Sequence, residues 1–258
     1  MKGNIFYAQS GGVTPVINAT ASGLIEHFFK NKKYFGRFYA GKNGILGALN
    51  EELIDIASEN KLELKLLSKT PGGAFGSCRL KLKDYVKSER EFQRIYEVFK
   101  AHNIRYFFYN GGGDSQDTTN KISKFFKIKG YAISCIGLPK TIDNDLPITY
   151  CCPGYGSVAK YIATSTLEAS LDVKSMSQTS TKVFILEVMG RHAGWLAASS
   201  GIIKTKAEEP PHIILFPEVE FKQTDFLRKV RGVINKYGYC VIVASEGIKS
   251  KNKFISDS

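Results

Sequence analysis

Short apolar runs rich in Val, Ile, Phe and Tyr alternate along the chain with longer segments of helical period, and Gly, Pro, Asn and Asp mark the breaks. The runs predict strands at 4–8, 36–40, 105–109, 132–138, 183–188, 212–216 and 240–245. The periodic segments predict helices at 15–30, 91–102, 115–126, 157–171, 193–201 and 224–237, and Phe92, Ile95, Tyr96 and Phe99 build the clearest amphipathic face. This is the rhythm of an α/β fold in which helices cover mainly parallel sheets. The run ISCIGL at 133–138 is apolar at almost every position, which predicts a strand buried on both faces. The pattern breaks at 146–154, LPITYCCPG, before a fresh set of βα units begins. Two lobes are therefore expected, 1–145 and 146–258.

Composition narrows the classes. With 43% hydrophobic and 23% charged residues in 258, wholesale disorder is excluded. No apolar run approaches the roughly 18 residues of a membrane helix, and the start, MKGNIFYAQSGG, turns polar too early for a signal peptide. A cytoplasmic protein with no membrane partner is expected. Cys78, Cys135, Cys151, Cys152 and Cys240 are odd in number and contain no C-x-x-C, as reduced thiols would be. The net charge of +12 is dispersed, without the contiguous basic stripe that a nucleic-acid partner requires.

In open α/β sheets ligands bind beyond the carboxyl ends of the strands, and the residues there carry the candidate chemistry. QSGG at 9–12 and NGGGDS at 110–115 each precede a helix and can offer bare N–H groups to a phosphate, although glycines also serve tight βα turns. The glycine loop at 70–79 ends on Arg79, a cationic fork for an anion. PKTIDND at 139–145 is more specific: read as extended, its i, i+2 spacing puts Asp143 and Asp145 on one side, one to accept a hydroxyl proton and one for a divalent cation, with Lys140 and Thr141 beside them. MGRHAGW at 189–195 supplies Arg191 for a further anion, whereas His192 reads as a cap or surface group. Glu246, after the last strand, can accept hydrogen bonds from sugar hydroxyls.

These strings, in this order, resemble the phosphofructokinases from Met1 to about Lys249, most specifically in TIDND and MGR. The resemblance implies two Rossmann-like lobes, with the phosphoryl donor on the first and the sugar phosphate on the second. It further implies the glycolytic transfer to the 1-hydroxyl of fructose 6-phosphate, with Mg2+ as cofactor and a homo-oligomer, dimer or tetramer, as the assembly. Carried over by position, Asp143 resembles the general base and Lys140 a cation beside the transferred phosphate. Thr141, Met189, Gly190, Arg191 and Glu246 resemble substrate contacts; Gly11, Gly12, Arg79, Gly113, Asp114 and Ser115 resemble donor contacts; Asp145 and Asp114 resemble metal-side carboxylates.

Asp114 stands where ATP users in this family carry glycine, and Lys140 where many bacterial ATP users do, so both resemble the pyrophosphate-dependent branch. Gly113 departs from the aspartate that ATP users place there. An ATP-dependent phosphofructokinase and an inactive or regulatory subunit remain the alternatives. The family continues past the strand carrying Glu246 into a segment that returns to the first lobe, so the chain is expected to be truncated and that lobe incomplete without it.

Overall fold

The structure is a computed structural model that describes residues 2–251 and 253–255. It divides into two compact units, Met1–Lys140 and Thr141–Ser258, so the division falls inside the 139–145 segment rather than after it.

In the first unit, β1 (Asn4–Gln9), β2 (Phe38–Gly41), β3 (Leu53–Asp55), β4 (Ile104–Gly111) and β5 (Ser134–Pro139) form one sheet in the order β3-β2-β1-β4-β5. All pairings are parallel except β2 with β3. Alternation along β1 sorts its side chains between two layers. Ile5 and Tyr7 join Ala21, Ile25 and Phe28 of α1 (Pro15–Lys30) on one face. Phe6 and Ala8 join Phe92, Ile95 and Phe99 of α4 (Glu89–Ala101) and Ile122 and Phe126 of α5 (Gly113–Ile128) on the other. The face anticipated on α4 is the one buried, with Tyr96 partly covered. The short α2 (Leu46–Asn50) and α3 (Lys61–Leu66), like β3, span too few residues to show a period in the sequence.

The second unit holds α6 (Tyr155–Met176), β6 (Val183–Val188), α7 (Trp195–Ser199), β7 (Ile213–Leu215), α8 (Gln223–Tyr237) and β8 (Cys240–Ser245). They are followed by a hairpin of β9 (Lys249–Ser250) and β10 (Lys253–Phe254). Its sheet is parallel, in the order β6-β8-β7, and the central β8 is buried throughout. Gly238, at φ 85°, terminates α8 in the left-handed conformation that glycine adopts without strain.

The burial expected of the 133–138 run is not found. β5 is not buried on both faces: it is an edge strand, and Ile136 is 43% exposed. The apolar run signals a strand without specifying its cover. β6 is likewise an edge, with Ile185 54% exposed. All five cysteines are free thiols, and burial pushes that of Cys135 up to about 12. Among the described residues no helix is long and apolar enough to cross a membrane.

Candidate active site

Sheet register places the candidate residues of the first unit. Gln9 pairs with Asn110, Asn110 with Leu138 and Gly111 with Pro139, so β1, β4 and β5 end level and their following loops share one edge. Backbone bonds tie these loops together: Ser10 N–H donates to Asn110 O (2.8 Å), Gly11 N–H to Cys78 O (3.0 Å) and Lys140 N–H to Gly111 O (2.9 Å). Gly11 turns at φ 78°, a region that side chains disfavour, and a Cβ there would stand 3.9 Å from Lys140 Nζ. A Cβ on Gly12 would stand 3.7 Å from the Arg79 guanidinium. Gly11, Gly12, Arg79 and Lys140 thus converge.

Beneath them lies a buried amide network. Asn110 Nδ2 and Gln9 Nε2 both donate to the Tyr7 hydroxyl (2.9 and 3.3 Å), which burial pushes up to about 12, so it remains protonated and donates onward to Ile17 O. Asn18 accepts from Ala74 N–H and donates to Thr70 O, both at 2.9 Å, and so holds the glycine loop that leads to Arg79.

The N-terminus of α5 opens on the same edge. The N–H groups of its first turn lack acceptors within the helix, and Gly113 and Asp114 belong to that turn. Ser115, expected among the donor contacts, is buried instead and its N–H is bonded to Gly112 O (3.0 Å). Asp114 is exposed and its Oδ1 lies 2.8 Å from Lys81 Nζ.

In the second unit the ends of β6 and β8 are also level, Val188 opposite Ser245. Ser245 Oγ donates to Gly190 O (2.6 Å) and accepts from Gly247 N–H (3.0 Å), while Glu246 N–H donates to Val188 O (2.8 Å). These bonds bring Met189, Gly190, Arg191 and Glu246 together. The approach depends on Gly247, because a Cβ there would overlap the backbone of Arg191. Gly247→Ala is therefore expected to destabilise the protein by about 2 kcal/mol, read as a lowered urea midpoint with the slope unchanged.

Ile142 packs against the cluster of Val188, Leu196 and Val243, which seats the turn carrying Asp143 in the second unit. Asp143 N–H donates to Thr141 Oγ1 (3.0 Å), a local bond that stiffens the turn. The extended spacing of Asp143 and Asp145 is not found. Asn144 between them is left-handed at φ 57°, and its buried amide accepts from Cys152 N–H (2.8 Å) and donates to Tyr150 O (3.2 Å). Asparagine tolerates that conformation, and the two bonds hold it there. Asp143 is half-buried and Asp145 exposed, so alternation does not pair them on one face.

Three neighbours escaped the sequence reading. Lys81 reaches Asp114 across 33 positions of sequence, and no local pattern announces it. Phe254 sits beside the Arg191 guanidinium, 5.7 Å to the ring centroid, and also receives Lys249 at 4.7 Å. Glu218 Oε1 accepts from Gly194 N–H (2.8 Å) at the start of α7. Cavities of about 340 and 360 Å³ lie against β7 and α8, and none of the expected site residues lines either.

Among the described residues no three His, Cys, Asp or Glu side chains form a metal cage. Mg2+ does not require one, because it is bound by one or two carboxylates together with phosphate oxygens and water. Of the two carboxylates expected as ligands, Asp114 is engaged by Lys81, whereas Asp145 is exposed. Asp145 suits such a partly hydrated ion.

Comparison with known proteins covers the whole of this arrangement. The phosphofructokinase family profile matches residues 4–258. A pyrophosphate–fructose 6-phosphate 1-phosphotransferase of Halomonas elongata is 56% identical over 256 residues, 99% of this chain and 61% of that protein. The protein of the same name from Xanthomonas campestris is 54% identical, with the same coverage. The crystal structure of a pyrophosphate-dependent phosphofructokinase from Marinobacter aquaeolei matches with a TM-score of 0.85 at 61% identity, covering 96% of this chain and 62% of that one. The chain spans about three fifths of the length of these relatives.

Proposed function

The chain belongs to the phosphofructokinase family, and we propose that it serves transfer of a phosphoryl group from pyrophosphate to the 1-hydroxyl of fructose 6-phosphate, yielding fructose 1,6-bisphosphate and inorganic phosphate. The high identity to relatives of that name supports the reaction. The observation that carries the choice of donor is Asp114 on the first turn of α5. A side chain there occupies the space beyond two phosphates, where a nucleotide's third phosphate and nucleoside would lie, and leaves a two-phosphate donor room.

On this reading the first unit binds the donor. The N–H groups at Gly12, Gly113 and Asp114 face its oxygens, the left-handed turn at Gly11 lets the loop come close to it, and Arg79 and Lys140 spread its charge. The second unit binds the acceptor, with Arg191 on the 6-phosphate, Met189, Gly190 and Glu246 on the sugar, and Thr141 and Asp143 at the reacting hydroxyl. Asp143 takes the hydroxyl proton as that oxygen bonds to the terminal phosphorus. The bridging P–O bond breaks and its electrons leave with inorganic phosphate. Asp145 would hold Mg2+, which would supply positive charge to offset that of the transferring group.

Isothermal titration of the 258-residue chain in Mg2+ tests the donor assignment. Pyrophosphate is expected to bind at least about ten-fold more tightly than ATP. Equal or tighter binding of ATP would refute it.

A further inference from the structure

The donor assignment raises an electrostatic difficulty. A carboxylate on the first turn of an anion-binding helix blocks a nucleotide, yet it also repels the pyrophosphate that the site is to hold. Resting on that assignment, we propose that Lys81 is a positioning residue for donor specificity: paired with Asp114, it cancels the carboxylate's charge and leaves its bulk, so that pyrophosphate is admitted while the space for a nucleotide stays filled.

The placement of Lys81 is built into the backbone. Leu82, its neighbour, is 1% exposed in the core with Phe92, Ile95 and Phe125. Leu82 O accepts from Lys121 Nζ (3.2 Å), and Lys121 projects from α5 itself. Lys83 N–H donates to Ser88 Oγ (3.2 Å), which fixes the other side. The segment is therefore laid along α5 with Lys81 beside the first turn, and Lys81 Nζ meets Asp114 Oδ1 at 2.8 Å.

The local charges show what Lys81 contributes. Asp84, Asp114 and Asp117 face Lys81 and Lys121 along this stretch of helix, and Lys121 pairs with Asp117 (2.7 Å) and approaches Asp84 (3.8 Å). Lys121 is thus committed elsewhere, and among the described ion pairs it is Lys81 that meets Asp114 at the donor edge. The pair adds little to folding, because exposed ion pairs rarely do. Its effect falls on the anion beside it.

A double-mutant cycle on the 258-residue chain, titrated with pyrophosphate in Mg2+ at low salt, tests the inference. Lys81→Met is expected to weaken pyrophosphate binding about five- to ten-fold, the repulsion of one exposed carboxylate released at close range. In the Asp114→Asn background the same substitution should change affinity less than about two-fold, since no charge remains to cancel. Lys81→Arg should restore binding to within about two-fold, and about 0.5 M KCl should largely abolish the Lys81→Met loss. Both side chains are about two-thirds exposed, so neither substitution empties a core site. An equal loss in both backgrounds would mean that Lys81 binds the donor directly, and no loss in either would remove it from the site; both outcomes overturn the inference and leave the donor assignment standing. If the unsubstituted chain binds no pyrophosphate, the donor assignment falls and this inference falls with it.

Discussion

Asp143→Asn is expected to lower turnover by about 10²–10⁴-fold while leaving fructose 6-phosphate affinity within a few-fold of its starting value. The asymmetry follows from the turn. Asp143 N–H is held by Thr141 Oγ1 at 3.0 Å, and Ile142 is packed against Val188, Leu196 and Val243, so the backbone is organised without the carboxylate. An amide keeps the shape and loses the capacity to take a proton. That capacity matters only once the hydroxyl is attacking phosphorus, which places the loss in kcat rather than KM. The measurement is steady-state kinetics with the chain joined to the portion of the Halomonas elongata relative that it does not span. Unchanged kcat would leave Asp143 as a turn residue and no more.

Lys140→Met should cost about 10²–10³-fold in kcat, with a smaller rise in the KM for pyrophosphate. Lys140 is anchored by its own N–H on Gly111 O at 2.9 Å, and its ammonium reaches the Gly11 turn, so the charge is presented by a backbone already in place. A cation fixed there does its work as charge shifts towards the bridging oxygen, and methionine fills the volume without the charge. Lys140→Arg should recover part of the rate. A loss confined to KM would assign Lys140 to donor binding alone.

Much of the scaffold was legible because the βα rhythm is long-range and redundant: each of the seven anticipated strands exists, and those at 183–188 and 240–245 keep their limits. The misreadings have local causes. β5 carries a buried strand's composition on a half-exposed edge, since apolar content reports strand propensity without reporting which neighbours arrive. The pairing of Asp143 with Asp145 assumed an extended chain, and the left-handed Asn144, tethered to Tyr150 and Cys152, breaks that assumption. Asn144 lies between two functional residues, and an Asn in that place is itself a turn signal. Ser115 turns inward because the second glycine loop closes into α5 two residues earlier than anticipated, at Gly113. Lys81 is one of many dispersed lysines in the sequence, and only the fold of 80–84 along α5 gives it a partner. By contrast Gly11, Gly12, Arg79 and Lys140 are brought to one edge by the strand register, and Met189, Gly190, Arg191 and Glu246 by Ser245.

The central claim, a two-phosphate donor selected at Asp114, is tested most directly by the donor dependence of fructose 1,6-bisphosphate formation, measured on the same joined protein with fructose 6-phosphate and Mg2+. The account predicts turnover with pyrophosphate, at most a trace with ATP, and release of one inorganic phosphate for each bisphosphate formed. Turnover with ATP and none with pyrophosphate would contradict it.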